Sequence, residues 1–301
     1  MTTSSRISAR TCKIAFCFLV RKNLNQLDIW LEFFRGHEDR FSVYFHVADL
    51  EGSDQGFTKE HTIDEHVDTK WGGDLYGAVR LLYASALTTE SNCKVVLLSE
   101  STIPVRNFQY VYTYLTTHNK SHVGYTPRDS TGHNERATLK MMRQRFVKNS
   151  NRSETFSRYV DPQHWYFNEM WTILNREHAH LIANDAVIWK YFESAFAWDE
   201  NYPMYILSVH NQKEIELERE CCTFVNWAEA VVHGSSGGRS PKTYDRLTPK
   251  DFSRLWAVLH RPRFLFARKF SSTSNVGRYR HLLLGDREDT FPSQTPGLRR
   301  G

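Results

Sequence analysis

Apolar runs along this chain are separated by polar breaks, and they follow two periods. "KIAFCFLV" (13–20) is apolar almost throughout and reads as a strand buried on both faces. Asn23 can cap a helix in which Leu24, Leu27, Trp30, Leu31 and Phe34 recur at helical spacing, and Gly36 would stop it. "FSVYFHV" (41–47) alternates and is rich in β-formers, so it predicts a second strand. "GGDLYGAVRLLYASAL" predicts a helix from near Asp74, and "KVVLLSES" a third strand, again buried on both faces. "NFQYVYTYL" then reads as a helix and "HVGYT" as a short strand.

Strand, helix, strand, helix, strand is the pattern of an α/β domain with a mainly parallel sheet flanked by helices. Ligands of such sheets bind beyond the carboxyl ends of the strands. That rule puts His46 and Asp49, and then Ser99, Glu100 and Ser101, at the rim of a site; plain strand exits are the alternative. Residues 128 to 160 turn polar and basic and read as an exposed helix and a loop. Further on, the pattern predicts a strand near "MWTIL", a helix from Arg176, a helix over "DAVIWKYFESAF", and a Gly/Ser loop over 232–242. The helix "PKDFSRLWAVL", the short strand "RFLFARKF" and a last short helix "NVGRYRHLLL" follow. The expected organisation is a flexible start over 1–12, one domain over 13–285 without internal repeats, and a disordered tail over 286–301.

Composition narrows the classes. The 301 residues suffice for one large domain or two small ones. Aromatic residues are abundant at 14%, which suits a sugar-binding cleft and equally an ordinary core. The net charge of +5 fits a small anionic ligand and does not require nucleic acid. The charges of 128–158 have only Phe146 and Phe156 interleaved among them, with Tyr159 just beyond. Five cysteines, an odd number without a CxxC pair, argue against zinc and point to free thiols in a reducing compartment. The apolar run 14–20 falls far short of the ~20 residues a membrane span needs. A soluble, cytoplasmic protein is therefore expected. GxxxxGK[ST], HExxH and GxGxxG are all absent. Asp286 and Asp289 lie in the polar tail and do not end an apolar strand, so no metal site is evident.

Two segments could carry chemistry. "FAWDENYPMYIL" sets Asp199 and Glu200 between Trp198 and Tyr202. Either both acids face water at a helix start, or one of them does chemistry. In "FLFARKF", Arg268 and Lys269 interrupt a β pattern, and a cation there needs an anionic partner. A diphosphate would serve, as would a structural carboxylate. Trp165, Trp171 and Trp198 could stack on sugar faces or belong to the core.

The ordered set "KIAFCFLVR", "FFRGHEDRFSVYFHV", "VVLLSESTIPVRNFQYVYTYL", "QHWYFNEMWTILNREHA", "WDENYPMYIL", "KTYDRLTP" and "FLFARKF" resembles the core-2/I-branching β-1,6-N-acetylglucosaminyltransferase family, its plant-type members above all. The resemblance runs from about 13 to 285. It implies a GT-A-like fold and an inverting transfer of a sugar, GlcNAc or xylose, from a UDP-sugar to a glycan acceptor. It implies no cofactor and no divalent metal, two basic side chains taking over the charge of the cation. The family's general base maps onto Glu200. Its diphosphate-binding cations map onto Lys269 and Arg246, with Arg268 beside them. Its nucleotide-side positions map onto His46, Asp49 and Trp71, with Ala48 breaking the match. Trp171 and Arg176, together with Asp199, fall on the acceptor side. Asp199 is also expected to cap the following helix. Animal members are membrane-anchored and disulfide-rich, whereas this chain shows neither feature. The departure implies a soluble enzyme of the cytosolic side, of a kind a virus or microbe would encode. A non-catalytic nucleotide-sugar or carbohydrate-binding module on the same fold is the competing reading.

Overall fold

The computed structural model describes residues 12–69, 75–126, 160–192, 198–210, 217–233 and 238–285. In chain order its elements are β1 (Lys13–Val20), α1 (Leu27–Phe34), β2 (Phe41–Val47), α2 (Gly56–Glu60), α3 (Tyr76–Thr88), β3 (Asn92–Ser99), β4 (Ile103–Pro104), α4 (Phe108–Thr116), β5 (Ser121–His122), β6 (Tyr125–Thr126), β7 (Phe167–Asn168), β8 (Ile173–Asn175), α5 (Arg176–Asn184), α6 (Trp189–Phe192), α7 (Tyr202–Val209), β9 (Leu217–Glu218), β10 (Thr223–Val225), β11 (Val231–His233), β12 (Gly238–Ser240), α8 (Pro249–Leu259), β13 (Phe266–Arg268) and α9 (Arg280–Leu284). Short 3-10 turns lie at Pro162–His164, Trp198–Glu200 and Asn275–Tyr279. The chain groups into two compact units: Met1–Leu24 with Phe34–Glu100 and His118–Cys221, and Asn25–Phe33 with Ser101–Thr117 and Cys222–Gly301.

The first unit holds a six-stranded sheet in the order β2-β1-β3-β8-β5-β9. β1 runs parallel to both β2 and β3, so its apolar run is covered on both sides, and Ile14 to Phe18 are fully buried. β8 is antiparallel to β3 and to β5, and β5 is parallel to β9. α3 packs on β1 and β2 and against α5. This central, mostly parallel sheet with flanking helices is a GT-A-like α/β arrangement.

The second unit has a three-stranded sheet, β10-β13-β4, with β10 parallel and β4 antiparallel to β13. Its core joins Ile29, Ile103, Val105, Phe252, Leu255 and Phe270. α8 begins with a capping box: Thr248 Oγ1 accepts from Asp251 N, the Asp251 carboxylate accepts from Thr248 N, and Pro249 follows the cap. At its other end the buried Arg106 guanidinium donates to the carbonyls of His260 and Arg261, a cation on the negative end of the helix.

Several expectations change. Asn23 does not cap α1; its amide bonds Asp54 and accepts from Ser53 Oγ. Part of the expected Gly/Ser loop is an antiparallel pair, β11 with β12. The expectation of five free thiols also fails. The β1–β3 register shifts between Lys13, opposite Asn92, and Ile14, opposite Lys94, which leaves Cys93 outside the ladder; its Cα lies 5.5 Å from that of Cys12, and the two form a disulfide. Cys17, Cys221 and Cys222 are free. The reducing-compartment expectation loses that support, because pairing follows from strand register and not from the count of cysteines. Among the described residues, no helix is long and apolar enough to cross a membrane. The expectations for Trp71, Asp74, the basic stretch 128–159, the end of the "DAVIWKYFESAF" helix and the tail lie outside the described residues.

Candidate functional site

At the carboxyl ends of β1, β2 and β3 the backbone of Arg21 joins the three strand exits. Its N–H donates to Glu100 Oε2 at 2.5 Å, and its carbonyl accepts from Asp49 N at 2.8 Å. Asp49 is not a bare carboxylate. One oxygen pairs with Lys22 Nζ at 3.0 Å and the other accepts from Gly52 N at 3.0 Å, and these contacts, that of Lys22 foremost, hold its pKa below the usual range. A side chain at residue 52 would strike that pair, since a Cβ there would lie 2.6 Å from Lys22 Nζ. Ser99 ends β3 and is buried.

His46, next to last on β2, is buried rather than presented to solvent. Its Nε2 accepts from Val67 N at 3.3 Å, and the His66 ring stacks on it at 4.8 Å. Burial, and after it the nearby charge of His66, push its pKa down to about 4, so the ring is neutral at pH 7. His46 therefore holds the His66–Val67 segment through one hydrogen bond and one ring contact.

Of the three residues expected on the acceptor side, Trp171 and Arg176 part company. β8 runs antiparallel to β3, with Val96 opposite Ile173 and Lys94 opposite Asn175. Trp171, just before β8, thus lies level with the carboxyl end of β3. Arg176, just after β8, lies at the opposite end, roughly 17 Å away for five extended residues. There its guanidinium donates to the carbonyls of Leu87, Thr89 and Asn92, closing the end of α3. Trp165 is a core residue, buried and stacked on Phe192 at 5.5 Å. Trp171 is half-buried and packed against that same core.

Asp199 and Glu200 sit in the 3-10 turn Trp198–Glu200, half-buried, ahead of α7. Every residue of α7 from Tyr202 to Ser208 is buried, which explains the apolar stretch after the acids. Asp199 is not the helix cap. Asn201 occupies the cap position without a side-chain cap bond, and the first-turn amide of Met204 donates instead to Asn168 Oδ1 at 3.3 Å. Asp199 lies within electrostatic reach of the buried Tyr76 hydroxyl, whose pKa is raised chiefly by burial and further by the Asp199 charge. Carboxylates ahead of a helix start are also favoured by its dipole, so placement alone fits either role.

In the second unit, the segments that carry the sequence-distant cations meet through the backbone. Tyr244 bridges to Phe270 in parallel, and Tyr244 N donates to the Lys269 carbonyl at 2.8 Å. Arg246, exposed, thus follows two residues after the strand partner of the Lys269 segment. Ser101 belongs here rather than with Ser99 and Glu100, because its carbonyl accepts from Phe270 N at 2.9 Å. Asn25 Nδ2 donates to the Phe270 carbonyl and fixes the same corner. Arg268 and Lys269 are both half-buried.

One residue there escaped sequence reasoning. Trp227 follows β10 with 45% of its surface exposed. The buried Asn226 beside it donates to Tyr244 Oη at 2.8 Å and to Glu229 Oε1 at 3.1 Å. Glu229 pairs with Lys242, which lowers the pKa of the acid and raises that of the base. An exposed indole is an apolar face of the kind that can stack on a pyranose ring. The signal was present in "VNWAEA", a tryptophan between an amide and an acid at a strand exit. Among the described residues, no three His, Cys, Asp or Glu side chains gather as a metal site would require.

The sequence profile of the core-2/I-branching enzymes matches residues 14–256. Over a 322-residue alignment the chain is 25% identical to Glycosyltransferase BC10 of Oryza sativa subsp. japonica, with 88% of this chain and 75% of the rice protein covered. With a match across most of its length and the GT-A-like sheet in place, this chain belongs to the core-2/I-branching enzyme family of glycosyltransferases.

Proposed function

We propose that the protein is an inverting, metal-independent transferase that moves GlcNAc or xylose from a UDP-sugar to a hydroxyl of a glycan acceptor. In one in-line displacement, the acceptor oxygen bonds to the anomeric carbon as the bond to UDP breaks. Glu200 takes the acceptor proton, which requires the carboxylate within about 3 Å of that hydroxyl. Negative charge develops on the leaving diphosphate. Lys269 and Arg246 offset it with two positive charges, as many as one divalent ion carries, with Arg268 adjacent. Trp227 offers an apolar face to a sugar ring. The observation that most supports this reading is the Tyr244–Phe270 bridge, which draws the Arg246 and Lys269 segments together across a gap in sequence.

The test is turnover of UDP-GlcNAc and UDP-xylose with a glycan acceptor, in excess EDTA, by wild type and Glu200→Gln. Wild type should keep full activity. The variant should bind UDP normally and lose roughly a hundredfold to ten-thousandfold in rate. Loss in EDTA with rescue by manganese would end the metal-free mechanism. Wild-type turnover by the variant would make Asp199 the next candidate base. Donor binding by wild type without any turnover would favour a binding module.

A further inference from the structure

We propose that Asn168 is a positioning residue for Glu200, setting the acidic turn from the strand β7. The inference rests on the reading of Glu200 as the base. A three-residue 3-10 turn is short, and its i→i+3 hydrogen bonds have poorer geometry than those of an α-helix. The Asn168 amide grips this turn from both sides. Its Nδ2 donates to the Asp199 carbonyl at 3.4 Å and to the Glu169 carbonyl at 3.2 Å, and its Oδ1 accepts from Met204 N at 3.3 Å. The residue before Glu200 and the helix after it are thereby tied to one side chain.

Asn201 returns the grip. Its Nδ2 donates to the Tyr166 carbonyl at 2.8 Å, and its own carbonyl accepts from Tyr205 N. The segment 166–168 is thus joined to the segment 199–204 by three hydrogen bonds, made by two amides reaching in opposite directions. Both asparagines are buried, Asn168 wholly and Asn201 to within 1%. β7 in turn pairs with β6, Asn168 opposite Tyr125, so the grip is anchored in a ribbon. A primary amide offers an uncharged donor and an acceptor on separate atoms of one short side chain; a carboxylate loses the donated bonds and an alkyl group loses all of them. The exposed Phe167 next to it shows the alternation of the strand, with Asn168 turned inward.

The test is a double-mutant cycle in the full chain. Asn168→Ala should lower kcat on the order of tenfold to a hundredfold, as expected when a reacting group is displaced by about an ångström, with donor KM and UDP affinity unchanged. In the Glu200→Gln background, followed by single-turnover kinetics, the same substitution should cost less than about twofold, because its effect runs through the missing carboxylate. An equal loss in both backgrounds would assign Asn168 to general structure and overturn the inference, with the Glu200 reading intact. Wild-type turnover by Glu200→Gln alone would overturn the base reading first, and this inference with it. If Asn168→Ala does not fold, Asn168→Asp keeps the shape and the acceptor for Met204 N but loses the donor, and it enters the same cycle. Failure of both to yield a UDP-binding protein makes Asn168 a folding residue and also overturns the proposal.

Discussion

Side chains assigned to charge and to stacking should separate in their effects. Lys269 lies half-buried beside a strand whose backbone is held by Tyr244 and Ser101, so its removal leaves those backbone bonds in place. Hydrogen bonds to charged groups contribute about 1.5–3 kcal/mol, which is about tenfold to a hundredfold in Kd. Lys269→Ala should weaken UDP by that factor, as read by titration calorimetry, while its melting temperature stays near wild type. Lys269→Arg should also bind poorly, because a planar fork replaces a point charge. Trp227→Ala should leave UDP affinity unchanged and raise the acceptor KM. A fall in melting temperature with UDP affinity intact would instead mean that Lys269 holds a structural carboxylate. Arg176 shows the limit of residue-level reading: an arginine in a matching motif can be engaged wholly by carbonyls of its own fold.

Among the elements, those with strong local signals formed where expected. α8 begins at Pro249 because Thr248 and Asp251 satisfy each other's backbone amides, a signal contained in four consecutive residues. Thr248→Ala should therefore cost about 1 kcal/mol of stability, measured by urea unfolding, and leave UDP affinity unchanged. A loss of UDP affinity would show that α8 also governs the neighbouring Arg246 segment. β1 and β3 were legible from continuous apolar runs, and Asn107 and Asn175 cap α4 and α5. The β11–β12 pair was not legible, since its strands are three residues long and flank a Gly/Ser run that reads as a loop.

For the whole molecule, acid should be destabilising at a pH set by buried histidines. His46 and His122 are both pushed down to about 4, by burial first, with His66 adding to the effect at one site and Lys94 at the other. In the unfolded chain both imidazoles protonate near 6.5. Between those values the unfolded chain binds more protons than the folded one, so stability falls as the pH drops. The histidine contribution is complete above about 6.5 and is lost progressively toward about 4. Urea midpoints measured from pH 7.5 to 4 should show this decline, and His122→Gln should flatten it. An unchanged slope in the variant would assign the decline to carboxylates.

What the sequence by itself determined was local: the buried strands, the helix over 249–259, the acids set into an aromatic stretch and the cations set into a β pattern. Periodicity acts over a few residues, so it can be read without knowing what lies opposite, whereas the caps expected at Asn23 and Asp199 did not form. The tertiary structure alone decided the long-range matters. The antiparallel direction of β8 put Trp171, and not Arg176, level with the carboxyl end of β3. The register of β1 against β3 joined Cys12 to Cys93. The bridge from Tyr244 to Phe270 brought Arg246 toward Lys269, and burial made Trp165 core while leaving Trp227 open. Asn168 looks like an ordinary polar residue until Asp199 and Met204 close on either side of it, more than thirty residues along the chain. Strand direction, register and burial come from pairings between distant segments, and no window of sequence contains both partners.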